Sequence, residues 1–108
     1  MTTKGDMPRE ERILVRVASE IAELIPGFLQ NRRKDIAAML DAVQRGDFET
    51  VRVLGHSMKG AGGGYGFDAI TEIGAALEQA AKERNGAEIR SRVNELARYL
   101  DRVEVISE

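Results

Sequence analysis

Apolar residues recur every three or four positions along most of the chain, and this spacing limits the folds it can adopt. Near the end of the sequence the spacing alternates between four and three residues, through Ile89, Val93, Leu96, Leu100 and Val103. Such residues share one face of an α-helix that packs along its neighbours. Helix-favouring residues are common elsewhere, and no stretch alternates cleanly enough to predict a strand. The sequence therefore predicts an all-α domain.

Glycine, proline and aspartate divide this pattern into separate helices. A first, short helix is predicted from about Glu10, with an apolar side made of Leu14, Val17, Ile21, Leu24 and Phe28. Longer helices are predicted at 26–45, 48–65, 69–84 and 87–106, with Gly46 ending one helix and Asp47 capping the next. Short connections favour antiparallel neighbours, so we expect an antiparallel up-down four-helix bundle with a short additional N-terminal helix.

Composition excludes several classes of function. The 108 residues suffice for one core, which we assign to residues 10–108, and polar residues 1–9 are expected to be a flexible leader. With no cysteine and a single histidine, neither a disulfide nor a metal site is expected. The net charge of −2 gives no reason to bind nucleic acid, and Arg32-Arg33-Lys34 is expected to be a solvated helix face. No apolar run resembles a membrane span or signal peptide, which predicts a cytoplasmic protein, monomeric as an isolated domain.

The only histidine lies in the third long helix, within a run of glycines. Helical geometry places Val51, Gly55 and Met58 on the core side, so that His56 points outward. Lys59, Gly60 and Gly63 then share the exposed patch around the imidazole. Each glycine costs a helix about 1 kcal/mol relative to alanine, which indicates a role for this stretch other than helix stability.

An outward histidine beside a lysine can act as a nucleophile. No hydrolytic triad can be assembled around His56, so the covalent role open to it is attack by its own ring nitrogen on phosphorus. Imidazoles have a usual pKa of about 6.5, so a neutral ring can accept a phosphoryl group near pH 7. Lys59 would face the resulting negative charge. The alternative is that His56 is merely an exposed side chain.

The run His56-Ser57-Met58-Lys59-Gly60, followed by Gly63 and by Tyr65-Gly66-Phe67, resembles the signature of histidine-containing phosphotransfer (HPt) domains. The resemblance extends over about residues 21–100. It implies a four-helix bundle that carries phosphoryl groups between the phospho-aspartates of receiver domains, with no cofactor and no nucleotide-binding or catalytic machinery of its own. Mg²⁺ would be held by the receiver.

The same resemblance suggests roles for other residues. HPt domains commonly have Gln or Glu at the position of Glu78, where a carboxylate accepting from Nδ1–H would leave Nε2 as the nucleophile. The alternative is that Glu78 is a solvated side chain. Gly60 and Gly63 are expected to leave room for a docking receiver.

Three functions remain open from the sequence. The chain can be a phosphorelay carrier between receivers, or the phosphoacceptor domain of a chemotaxis-type histidine kinase. It can also be a helical adaptor that is not phosphorylated, in which the glycine patch binds a partner helix.

Overall fold

The computed structural model describes residues 11–107, which form four α-helices between two short strands. In chain order the elements are β1 (Ile13–Val17), a 3₁₀ helix (Ser19–Leu24), α1 (Ile25–Gln44), α2 (Phe48–Gly64), α3 (Asp68–Lys82), α4 (Gly86–Arg102) and β2 (Val103–Ser107). The prediction of a mostly helical domain with four main helices is confirmed. The predicted leader, residues 1–9, lies outside the described residues.

The helix ends follow from local sequence chemistry. Gly46, just after α1, has φ +72°, a backbone conformation that glycine adopts without strain. Asp47 caps α2, because its side chain accepts a hydrogen bond from the backbone N–H of Thr50 at 3.1 Å. Asn85 caps α4 in the same way, accepting from the N–H of Glu88 at 3.1 Å. The predicted roles of Gly46 and Asp47 are thus confirmed.

The core lies where the apolar faces of the four helices meet. α2 packs most extensively against α3, and α1 packs against α4 to close the bundle. The largest fully buried side chains are Phe67, Met39, Met58, Ile70, Leu77, Ile89, Leu96, Leu100, Val51, Val93 and Val103. Within residues 11–107, none of the helices is both long and apolar enough to cross a membrane.

The predicted N-terminal α-helix is wrong. Residues Ile13–Val17 form a strand that pairs in parallel with Val103–Ser107, and α4 therefore ends at Arg102 instead of near residue 106. β-branched side chains pack well on a pleated surface, and both segments are rich in valine and isoleucine. Leu14 and Leu24, which the helical pattern assigned to an apolar side, are 47% and 52% exposed.

Aromatic rings hold the connection between α2 and α3 against the start of α1. The ring of Phe28 stacks on Tyr65 and Phe67, with centroids 4.5 and 5.4 Å apart. The Arg32 guanidinium lies over the Phe28 ring and bonds Asp35 at 2.8 Å. Arg32 is therefore packed against the bundle, whereas the sequence analysis expected all three residues of the basic cluster to be solvated. Burial raises the pKa of Asp35, although the neighbouring Arg32 acts in the opposite direction.

Replacing Leu96 tests the assignment of the last helix to the bundle core. Leu96 is fully buried, so Leu96→Ala should lower the free energy of unfolding by about 2–5 kcal/mol, through lost burial and the cavity left behind. Leu24→Ala, at a half-exposed position, is the matched control and should change it by less than about 0.5 kcal/mol. Urea unfolding measures both. Equal effects for the two variants would contradict the packing described for α4.

Candidate functional site

The site depends on an unusually close approach of two helix backbones. Gly55 of α2 and Gly74 of α3 face each other, a pair we call the glycine contact. A Cβ added to Gly74 would lie 2.6 Å from the backbone nitrogen of Lys59 and 2.8 Å from the carbonyl oxygen of Gly55. A Cβ added to Gly55 would lie 2.8 Å from the backbone nitrogen of Glu78. Only glycine at both positions permits this spacing, which brings the α2 residues His56 and Lys59 beside Glu78 of α3.

A second close contact lies further along the same two helices. A Cβ on Gly62 would lie 2.6 Å from the Thr71 hydroxyl oxygen and 2.7 Å from the Thr71 backbone nitrogen. Gly62 therefore serves packing, as does Gly55. From Gly55 to Gly62 the chain moves forward along α2, whereas the residues contacted on α3 move backward, from Glu78 to Thr71.

Glu78 contacts both His56 and Lys59, the two other residues to which the sequence analysis assigned a chemical role. Its Oε2 lies 2.9 Å from Nδ1 of His56, and its Oε1 lies 2.9 Å from Nζ of Lys59. The Glu78 side chain is only 10% exposed, whereas those of His56 and Lys59 are 65% and 41% exposed. Glu78 is thus buried beneath two more accessible side chains, and the alternative that it is solvated does not hold.

The charge state of Glu78 decides which imidazole nitrogen is free. The hydrogen bond from Lys59, followed by that from His56, lowers the pKa of Glu78, against the effect of burial. An ionised carboxylate only accepts hydrogen bonds, so Nδ1 of a neutral His56 must carry the proton and donate it. Nε2 then keeps its lone pair. The arrangement presents an exposed imidazole in the tautomer suited to nucleophilic attack.

Sequence reasoning missed a second lysine at this carboxylate. Nζ of Lys82 lies 3.9 Å from Oε2 of Glu78, and its side chain is 53% exposed. The available signal was the spacing: Glu78 and Lys82 are four residues apart on α3, with the acid first, the favourable order for such a pair.

The two glycines assigned to docking differ from those that pack helices together. Apart from its chain neighbours and the α2 backbone, a Cβ on Gly60 would have no heavy atom of the described residues within 4 Å. A Cβ on Gly63 would make only an ordinary contact, 3.5 Å from the Thr71 hydroxyl. Gly60 therefore permits no helix contact among the described residues. It leaves the α2 surface bare one turn beyond His56.

Comparison with known proteins assigns the chain to a class. Residues 23–105 match the family model of the Hpt domain, which covers most of the chain. The protein belongs to the Hpt domain family, as the resemblance in the sequence predicted. It is therefore a phosphotransfer domain of two-component signalling, a class that interacts with receiver domains and kinases. Neither a curated protein nor a solved structure gives a significant match.

Enlarging Gly74 tests the glycine contact. The added Cβ of Gly74→Ala would meet backbone atoms that cannot rotate away, so the helices must separate, and we expect a loss of about 1–3 kcal/mol in the free energy of unfolding. Gly60→Ala is the control: its Cβ meets open space, and helix propensity should make the domain about 1 kcal/mol more stable. Chemical denaturation of both variants gives the comparison. A Gly74→Ala domain as stable as the original would refute the close approach.

Proposed function

We propose that His56 is the phosphoacceptor of this domain, receiving a phosphoryl group from the aspartate of one receiver and passing it to another. The observation that carries the proposal is the 2.9 Å hydrogen bond between Nδ1 of an exposed His56 and the buried, ionised Glu78. This bond fixes the tautomer and orientation of the ring while its other nitrogen faces outward. The up-down arrangement of the helices and a monomeric isolated domain belong to the same proposal.

The transfer itself is an exchange of one bond for another. The Nε2 lone pair attacks phosphorus, and an N–P bond forms as the P–O bond to the aspartyl carboxylate breaks. The bonding electron pair leaves with that carboxylate, and Nδ1 keeps its proton, still hydrogen-bonded to Glu78. The ring gains positive charge as it bonds phosphorus, so the adjacent carboxylate stabilises the product. The reverse sequence delivers the group to a second receiver.

Lys59 has a second task in this proposal. Its ammonium is exposed enough to turn from Glu78 toward a phosphoryl group on Nε2, which carries more negative charge than the carboxylate. Mg²⁺ would be supplied by the receiver, where it would neutralise the phosphoryl oxygens during in-line transfer.

Replacing His56 tests the acceptor assignment. Incubation with a phosphorylated receiver should produce one acid-labile, alkali-stable phosphoramidate, and His56→Gln should abolish it without loss of helicity by circular dichroism, because the side chain is exposed. Labelling that survives in His56→Gln would place the acceptor elsewhere.

The phosphoryl donor separates the proposal from its alternatives. Labelling by a phosphorylated receiver supports the carrier function. Labelling only by a kinase catalytic domain with ATP would indicate the phosphoacceptor domain of a chemotaxis-type kinase. No labelling by either donor would favour a helical adaptor.

Replacing Gly60 tests receiver docking. In-line transfer requires two folded surfaces to touch, and a long side chain one turn from His56 would stand between them. We expect Gly60→Gln to lower the transfer rate at least tenfold, about 1.4 kcal/mol of the barrier, while leaving the domain as stable or about 0.5–1 kcal/mol more stable. Thermal unfolding and transfer kinetics are measured on the same samples. A large fall in melting temperature would mean that Gly60 serves packing instead.

A further inference from the structure

Lys82 occupies a position that neither the sequence motif nor the transfer step explains. Its Nζ lies 3.9 Å from Oε2 of Glu78, the oxygen that is hydrogen-bonded to His56. This distance is within ion-pair range but beyond hydrogen-bonding distance. Lys59 holds the other oxygen at 2.9 Å. Within residues 11–107, three side-chain nitrogens therefore lie within 4 Å of one carboxylate, and two of them are hydrogen-bonded to it.

Phosphorylation of His56 would disturb this balance, an argument that rests on the proposed function. If Lys59 turns toward the phosphoryl group, Glu78 loses the partner that does most to keep it ionised. Among the described residues, the buried carboxylate would then keep only the imidazole as a hydrogen-bonding partner, at the moment when the ring carries extra positive charge. Arg52 also interacts electrostatically with Glu78, but its guanidinium is hydrogen-bonded to Glu49. Burial of a charged group without sufficient partners is unfavourable, so another cation is needed.

We propose that Lys82 is a positioning residue that replaces Lys59 at Glu78 when Lys59 engages the phosphoryl group. Lys82 lies one turn along the same helix from Glu78, and its half-exposed side chain needs to move only about 1 Å to reach bonding distance. The exchange keeps Glu78 ionised and in contact with Nδ1–H throughout transfer. Lys82 thus acts through Glu78, without touching the phosphoryl group or the receiver.

A first experiment uses the unphosphorylated domain and so does not depend on transfer. Nitrogen-15 NMR at about pH 8, above the usual pKa of imidazoles, reports which nitrogen of His56 carries the proton. We expect Nδ1–H in the original protein, in Lys82→Gln and in Lys59→Gln, where Lys82 takes over. Only Lys59→Gln/Lys82→Gln should shift toward a mixture of tautomers. Identical spectra for Lys59→Gln with and without Lys82→Gln would overturn the proposal.

A second experiment measures transfer from a phosphorylated receiver and from phosphoramidate, a small donor that needs no docking. Lys82→Gln should slow both reactions about threefold, as expected for loss of one charge contact at a partly exposed site, and Lys82→Arg should restore them. The control Arg90→Gln removes an equal charge from an exposed position on α4 and should change neither rate.

Glu78→Gln distinguishes the route by which Lys82 acts. If Lys82 works through the carboxylate, adding Lys82→Gln to Glu78→Gln should cause no further slowing. A full threefold effect in that background, or an effect confined to the receiver reaction, would show instead that Lys82 contacts the phosphoryl group or the partner. Failure of His56 labelling in the original protein would reject the proposed function, while the NMR result would still decide whether Lys82 can replace Lys59.

Discussion

The approach of α2 to α3 at Gly55 and Gly74 is the constraint on which the site depends. A glutamate side chain is short, and it bridges two helices only where their backbones nearly touch. With any side chain at either glycine the helices must separate, because the obstructing atoms belong to backbone. Glycines that weaken α2 as an isolated helix thus create the geometry in which His56, Lys59 and Glu78 meet.

Because of this geometry, His56, Lys59 and Glu78 interact electrostatically as one group. The Glu78 carboxylate is nearly buried, so its charge is tolerable only with cations and N–H donors around it. In the proposed transfer these same groups act on the phosphoryl group, and a change of charge at His56 would alter the interaction of Glu78 with Lys59. Removing one member therefore changes the protonation and position of the others, and single substitutions report on the group as a whole.

Much of the helical architecture could be predicted from the sequence, because helix formation is local. Apolar spacing predicted four long helices. The cap residues could also be predicted, because Asp47 caps with its own carboxylate and Gly46, without a side chain, adopts a positive φ. The strands could not be predicted, since Ile13–Val17 is paired by residues at the other end of the chain and matches a helical spacing by coincidence. At the site, periodicity indicated only that His56 faces outward; the position of Glu78 came from the family resemblance. The distinction between packing glycines and the open Gly60 depends on interhelical distances that spacing alone does not contain.

The parallel pairing of β1 with β2 has a mechanical consequence. Ile13 lies beside Val103 and Val17 beside Ser107, so the chain enters the sheet at one end and leaves it at the opposite end. A force drawing residues 13 and 107 apart would slide one strand along the other, and the hydrogen bonds between them would bear the load together instead of opening in turn. The strand pair would therefore bear a pulling force applied at these two residues before the force reached the helices that hold His56.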